Sequence, residues 1–161
     1  PTNWDGENGF VEDLKKYKNI ITISSQMSKT AINALVSLCD AYVSLHRSEG
    51  FGLGPAEAMA FSKPIVITDY SGNTQYMRKD ACCPVPYKLV EIKKDFGIYK
   101  KGMHWADADV NAAAQYMEKL VDDKNYYNMI SENAKKVIEN EFSYKNCGDI
   151  ILKNIPEKLK Q

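Results

Sequence analysis

The chain has 161 residues, enough for one domain with a sizeable core. Apolar residues make up 44% and charged residues 26%, an ordinary globular composition rather than a disordered or fibrous one. Lys and Arg together number 21, as do Asp and Glu, and this balance argues against nucleic acid as the main partner.

No apolar run approaches about 18 residues, so no transmembrane helix is predicted. The opening Pro-Thr-Asn-Trp-Asp-Gly-Glu has neither the basic nor the apolar region of a signal peptide. It also lacks an initiating Met, and we read the chain as an excerpt of a longer protein. The four cysteines, at 39, 82, 83 and 147, form no C-x-x-C pair. They are expected to be reduced structural thiols. With only His46 and His104 available, no zinc site is expected.

In chain order, residues 1–9 read as a polar loop. Residues 10–17 read as a short amphipathic helix, with Phe10, Val11, Leu14 and Tyr17 facing inward. The isoleucine-rich run 19–24 reads as a strand. Ser28 is placed to N-cap a helix over 29–39, whose expected buried stripe is Ala31, Ile32, Leu35 and Leu38. A short apolar strand over 41–45 follows, as in buried parallel sheets.

The loop 46–54 contains Gly50, Gly52 and Gly54, where backbone can approach a ligand closely. Pro55 suits the first position of a helix over 55–62. Pro64 introduces a strand over 65–68. A Ser71-Gly72 turn leads into a short helix over 73–78. Residues 81–92 alternate, but Pro84 and Pro86 demote them to an edge or irregular strand. Residues 93–103 form a charged loop. Asp107 or Asp109 caps a helix over 110–122, and two further helices span 125–141 and 144–154. There are no internal repeats. The order implies a doubly wound, mostly parallel α/β sheet followed by C-terminal helices. Both glycine-containing loops, 46–54 and 69–73, leave the C-terminal ends of strands and therefore share one edge.

The chemistry concentrates in the first loop. A glycine-rich turn ending at a helix start offers unpaired amides and the positive end of the helix dipole, which suit a phosphate. Glu49 opens this loop and Glu57 stands in the first helical turn, with seven residues between them. Carboxylates there suit hydroxyl donors rather than bare phosphate. A ligand bearing both, such as a nucleotide sugar, satisfies the pattern.

Ser48-Glu49-Gly50-Phe51-Gly52-Leu53 with Glu57-Ala58-Met59-Ala60 resembles the donor-site signature of family 4 retaining glycosyltransferases, Glu-x7-Glu inside EGFGLxxxEAMAxGxPVVxT. Phe61-Ser62 departs from that pattern, where the family usually has a small residue and then glycine. The departure bears on the helix C-cap. Asp69-Tyr70-Ser71-Gly72-Asn73 and Trp105-Ala106-Asp107-Ala108-Asp109 are similar to the TDYSGN and WAEPD segments of one branch. The likeness covers roughly residues 19–145.

The resemblance implies the GT-B architecture, two Rossmann-like domains facing a cleft. Residues 1–161 would be a single, partial C-terminal nucleotide-sugar-binding domain. The upstream strands and their Arg…Lys pair find no counterpart before residue 19. It implies transfer of a hexose from a nucleotide-diphosphate donor to an acceptor hydroxyl with retention, without a bound metal or other cofactor. The acceptor, a glycan or lipid-linked species, would bind the other domain. The setting would be cytoplasmic, at the inner membrane face, in polysaccharide synthesis.

By resemblance Glu49 sits near the donor sugar as the catalytic candidate, and Glu57 binds the donor ribose. Backbone amides of Gly50, Phe51, Gly52 and Leu53 meet sugar and phosphate, while the Phe51 and Leu53 side chains are expected to pack in the core. Gly54 is expected only to shape the turn. His46 is a candidate contact to the donor sugar and Arg47 a charge toward the phosphates; the alternatives are a strand-end histidine and a solvated arginine. Ser71, Gly72 and Asn73 complete the candidate set, with Asn73 equally readable as an N-cap. Trp105 is expected to be a packed anchor of the loop 93–109. The alternative to an enzyme is a non-catalytic nucleotide-binding or assembly module. An oxidoreductase is disfavoured, because G-x-G-x-x-G with a following acid is not found.

Overall fold

The computed structural model describes residues 13–156, and the first three positions of the helix expected over 10–17 lie outside them. Two compact units divide at Ile32 and Asn33. In the first, residues 19–24 form no strand, and Ile20, Ile21 and Ile23 are exposed. This corrects the expectation. β-branched residues favour a strand only where a neighbouring ladder and a packed face receive them.

Helix α1 (Lys29–Leu38) starts as expected, with the Ser28 hydroxyl accepting from the Ala31 amide at 3.2 Å. Its expected stripe is not buried: Ile32, Leu35 and Leu38 are exposed. Val36 instead packs against the core of the second unit.

In the second unit, β1 (Tyr42–Ser44), β2 (Ile65–Thr68) and β3 (Cys83–Val85) form a parallel sheet in the order β1-β2-β3. Between β1 and β2 lies α2 (Leu53–Ala60). Every residue of β2 is buried, as expected of a central strand covered on both faces. Strand alternation sends Ile65 and Ile67 to one side and Val66 to the other. Ile65 and Ile67 join Ala58, Met59, Tyr76 and Cys82 in one cluster, while Val66 joins Cys83, Val85, Ala113 and Leu120 in a second. Each fully buried Ile or Met contributes roughly 1.5–3 kcal/mol. The adjacent Cys82 and Cys83 thus point into opposite layers, and all four cysteines are free thiols.

The run 81–92 is divided at Pro86. β3 is an edge strand of the sheet, as Pro84 required. β4 (Tyr87–Glu91) instead pairs antiparallel with β5 (His104–Ala108), a strand the sequence did not reveal. Helices α3 (Val110–Asp122), α4 (Lys124–Glu141) and α5 (Tyr144–Asn154) close the chain. Of the two candidate caps for α3, Asp109 serves, accepting from Asn111 and Ala112 amides at 3.0 Å each. Helices thus cover both sheet faces, α2 with the first cluster and α3 with the second, which is the doubly wound arrangement. Among the described residues no helix is long and apolar enough to cross a membrane.

Candidate functional site

The chain leaves β1 after Ser44 and re-enters regular structure at Leu53. Gly52 is the N-cap of α2, in the left-handed region at φ 80°, with no side-chain cap bond. The helix therefore begins two residues earlier than expected, and Pro55 is its third residue rather than its first. The first intrahelical bond runs from the Ala56 amide to the Gly52 carbonyl at 3.1 Å. Proline is tolerated because first-turn amides have no helical acceptor in any case. Glu57 shifts correspondingly, from the expected first turn to the second.

Among the described residues the other four helices each carry a side-chain cap. Ser28, Asp109, Asp123 and Ser143 accept amide hydrogens at the starts of α1, α3, α4 and α5. At α2 the first-turn amides and the dipole's positive end meet the loop without such a group.

A second loop is fastened to the first. The Ser71 hydroxyl donates to the Glu49 carbonyl at 2.6 Å, and the Gly72 amide donates to the same oxygen at 3.2 Å. The Glu49 amide donates back to Ser71 Oγ at 3.4 Å. The Thr68 hydroxyl donates to the His46 carbonyl at 2.9 Å. His46 Nε2 lies 3.0 Å from the Tyr70 carbonyl; since a carbonyl only accepts, Nε2 carries the hydrogen. His46 Nδ1 is buried with no partner among the described residues. Ser71 has φ 81°, in the left-handed region that disfavours non-glycine residues by roughly 1–3 kcal/mol. Its bonds to Glu49 hold that strain in place.

Gly72 makes the junction possible, since a Cβ there would lie 1.3 Å from the Gly50 carbonyl oxygen. Two phenols support the turn from below. Tyr76 is fully buried and donates to the Gly52 carbonyl at 3.0 Å; a Cβ on Gly52 would meet its oxygen at 2.5 Å. Tyr42 reaches Gly54, where a Cβ would be 2.7 Å from the phenol oxygen. Gly54 therefore does more than shape a turn. Burial first, then the charges of Glu49 and Glu57, raise the Tyr42 pKa. Both carboxylates thus bear on one phenol. Sequence reasoning missed Tyr42 and Tyr76; for Tyr42 the available signal was a polar ring inside an otherwise apolar strand.

The remaining candidates fall as follows. The Glu49 carboxylate folds back on the turn and accepts from the Gly50 amide at 3.1 Å. Phe51 packs as expected, its ring edge-on to Tyr76 at 5.2 Å and tilted against Phe142 at 5.8 Å. Leu53 does not pack as expected; it is 68% exposed, because its position on the first turn of α2 points away from the cluster.

Asn73 is no N-cap. It is buried within the 3-10 turn Gly72–Gln75, which replaces the expected helix over 73–78. Its Nδ2 donates to the Thr68 carbonyl and to Met77 Sδ, each at 2.9 Å. The Arg47 guanidinium is engaged away from the turn, 2.8 Å from Asp107 and stacked over the Trp105 ring at 5.0 Å. Trp105 is the packed anchor expected, with Phe96 and Tyr99 set edge-on against it. Among the described residues no cluster of three His, Cys, Asp or Glu has metal-binding geometry.

The site is therefore a pair of cross-bonded loops at the C-terminal edge of a parallel sheet. Hydroxyls and anions are the groups it can hold. A family model described as "Glycosyl transferases group 1" matches residues 6–137. None of the curated proteins compared with the chain matches it. The fold is similar to that of the C-terminal domain of a glycosyl transferase group 1 family protein, LpcC, from Francisella tularensis. The TM-score is 0.66 at 18% identity, over 89% of this chain and 66% of that one. It is also similar to Anabaena HepE, solved in complex with UDP-glucose, with a TM-score of 0.64 at 17% identity, over 92% of this chain. The chain spans just under two thirds of the first structure and 37% of the second.

Proposed function

The chain belongs to the glycosyl transferases group 1 family, and from that premise we propose that it is the donor-binding part of a retaining hexosyltransferase. It is a partial C-terminal domain, and the acceptor, a glycan or lipid-linked hydroxyl, binds a further domain. The enzyme works in the cytoplasm at the inner membrane face. HepE, a similar fold, holds UDP-glucose, which supports a nucleotide-sugar donor.

The observation that carries this reading is the start of α2, a helix without a side-chain cap, flanked by two carboxylates that bear on the same phenol. The amides of residues 50–53 receive the sugar and the diphosphate, that of Gly50 once the Glu49 carboxylate it now bonds turns to the sugar hydroxyls. Negative charge grows on the leaving diphosphate as the anomeric carbon–oxygen bond breaks, and these amides and the dipole stabilise it. The acceptor oxygen bonds to the anomeric carbon on the same face and its proton leaves with the diphosphate or solvent. Glu49 accepts from the sugar hydroxyls and steadies positive charge developing on the ring. Glu57 accepts from the donor ribose. His46 flanks the sugar. Ser71, Gly72 and Asn73 hold the loop against which Glu49 is fixed. Arg47 reaches a phosphate only by leaving Asp107.

The test is Glu49→Gln and Glu57→Gln in the full-length protein, assayed with a panel of nucleotide sugars. Glu49→Gln lowers turnover about 10²-fold or more while donor binding persists. Glu57→Gln weakens donor binding about tenfold. Unchanged rates in both variants would sink the reading and favour a non-catalytic module. Retention is checked by the anomeric configuration of the first-formed product. Residues 1–161 alone bind nucleotide weakly and show no turnover.

A further inference from the structure

Far along the chain from the loop pair, the β4–β5 hairpin carries an uneven distribution of charge. Between Tyr87 and His104 stand five lysines, at 88, 93, 94, 100 and 101, against only Glu91 and Asp95. That is a net charge of +3 in a chain whose total is zero. Lys93 pairs with Glu91 at 2.8 Å and Lys100 with Asp95 at 3.0 Å, which engages both acids. All five lysines are exposed.

The tip itself is apolar and built tightly. Phe96 and Tyr99 exchange backbone hydrogen bonds at 2.7 and 3.0 Å across a two-residue turn, Gly97-Ile98, with Gly97 at φ 56°. Their rings brace the turn against Trp105. Ile98 is left 84% exposed at the apex, and Leu89 and Met103 are half or more exposed along the ribbon. An apolar apex flanked by lysines is complementary to an anionic bilayer. The side chains enter the interface while the cations meet the head groups. A purely polar partner would leave Ile98 unused.

We propose that the β4–β5 hairpin is a docking surface for an anionic lipid membrane, with Ile98 inserting and Lys93, Lys94, Lys100 and Lys101 meeting the head groups. The inference rests on the reading that the enzyme works at a membrane face, and it names the surface responsible. The Arg47–Asp107 contact and the Ala106 amide, which donates to the Arg47 carbonyl at 2.9 Å, tie β5 to the first loop. Docking therefore also fixes where the loop pair stands relative to the bilayer.

The test uses the full-length protein and sedimented vesicles of phosphatidylcholine alone, or with about a third phosphatidylglycerol. Binding is expected to the anionic vesicles only, and to weaken as salt is raised. The Lys94→Glu/Lys101→Glu double variant is expected to bind at least about tenfold more weakly. Ile98→Ser is expected to weaken binding while leaving the salt dependence unchanged. Nucleotide-sugar binding, read by calorimetry, stays as in the parent for both variants, so failure of donor binding and failure of docking are told apart. Equal binding to neutral vesicles, no binding to anionic ones, or parental vesicle binding by the double variant would each overturn the proposal. So would a loss of donor affinity in the double variant, which would assign the lysines to the donor.

Discussion

The Cα of Gly72 lies so close to the Gly50 carbonyl that any side chain at 72 would overlap it, with a Cβ at 1.3 Å from that oxygen. The two loops meet backbone to backbone, with no room for a side chain between them. Gly72→Ala must separate them, breaking the bonds that Ser71 and Gly72 give to the Glu49 carbonyl. We expect a loss of about 2 kcal/mol or more in stability and of measurable donor binding. Urea unfolding and calorimetry check this, and a variant that melts like its parent would show that the loops are not in contact.

Gly50 provides the converse case. A Cβ there meets nothing within 4 Å, and its φ is not positive. Nothing in the fold requires glycine at this position, so the open space is available to a ligand. Gly50→Ala is expected to leave stability unchanged or raise it by up to about 1 kcal/mol. Donor affinity is expected to fall by about tenfold. Equal affinity in calorimetry would mean that the Gly50 backbone does not approach the ligand.

Ser62 ends α2 in a left-handed conformation, φ 57°, where glycine is the residue without penalty. Its amide still donates to the Met59 carbonyl at 2.9 Å. The departure of Phe61-Ser62 from the family pattern is thus a backbone cost carried by this chain. Ser62→Gly is expected to raise stability by about 0.5–1 kcal/mol, seen as a higher Tm, without change in donor binding. A lower Tm would show that the serine side chain contributes more than its backbone costs.

Burial pushes the Cys82 thiol up to about 12. The folded chain holds this proton more tightly than the unfolded chain, whose value is near 9.0. The stabilising contribution is therefore complete below pH 9 and is lost as pH rises toward 12. Tyr76, also raised chiefly by burial, adds a loss of the same sign at still higher pH. Urea midpoints are expected to be steady from pH 7 to about 8.5 and to fall above 9, less steeply in Cys82→Ala. A midpoint that rises in that range would contradict the burial of the thiol.

Local signals were enough for elements that carry their own boundaries. β2, α3 and α5 run over the residues expected, because Pro64, Asp109 and Ser143 mark their starts. The meeting of the two loops was also legible, since both leave C-terminal ends of parallel strands. What failed depends on distant partners. Residues 19–24 have strand composition, but no ladder is formed to use it. β5 exists because β4 lies opposite, thirteen positions back, and its short sequence was read as a loop leading to a cap. Arg47 looks solvated until Asp107 and Trp105, some sixty positions on, are folded against it. The half-buried phenol of Tyr42 and the buried one of Tyr76 carry no distinguishing mark in a one-dimensional string. Only the fold places them under the glycines.

Among the described residues four helices are self-sufficient at their starts, and α2 is not. Whatever anion settles on its first turn contributes to folding as well as to recognition, so occupancy and local order rise together. Amide hydrogen exchange over residues 50–56 is therefore a direct reporter of ligand. Those amides should be the first to gain protection, ahead of any change in the buried sheet.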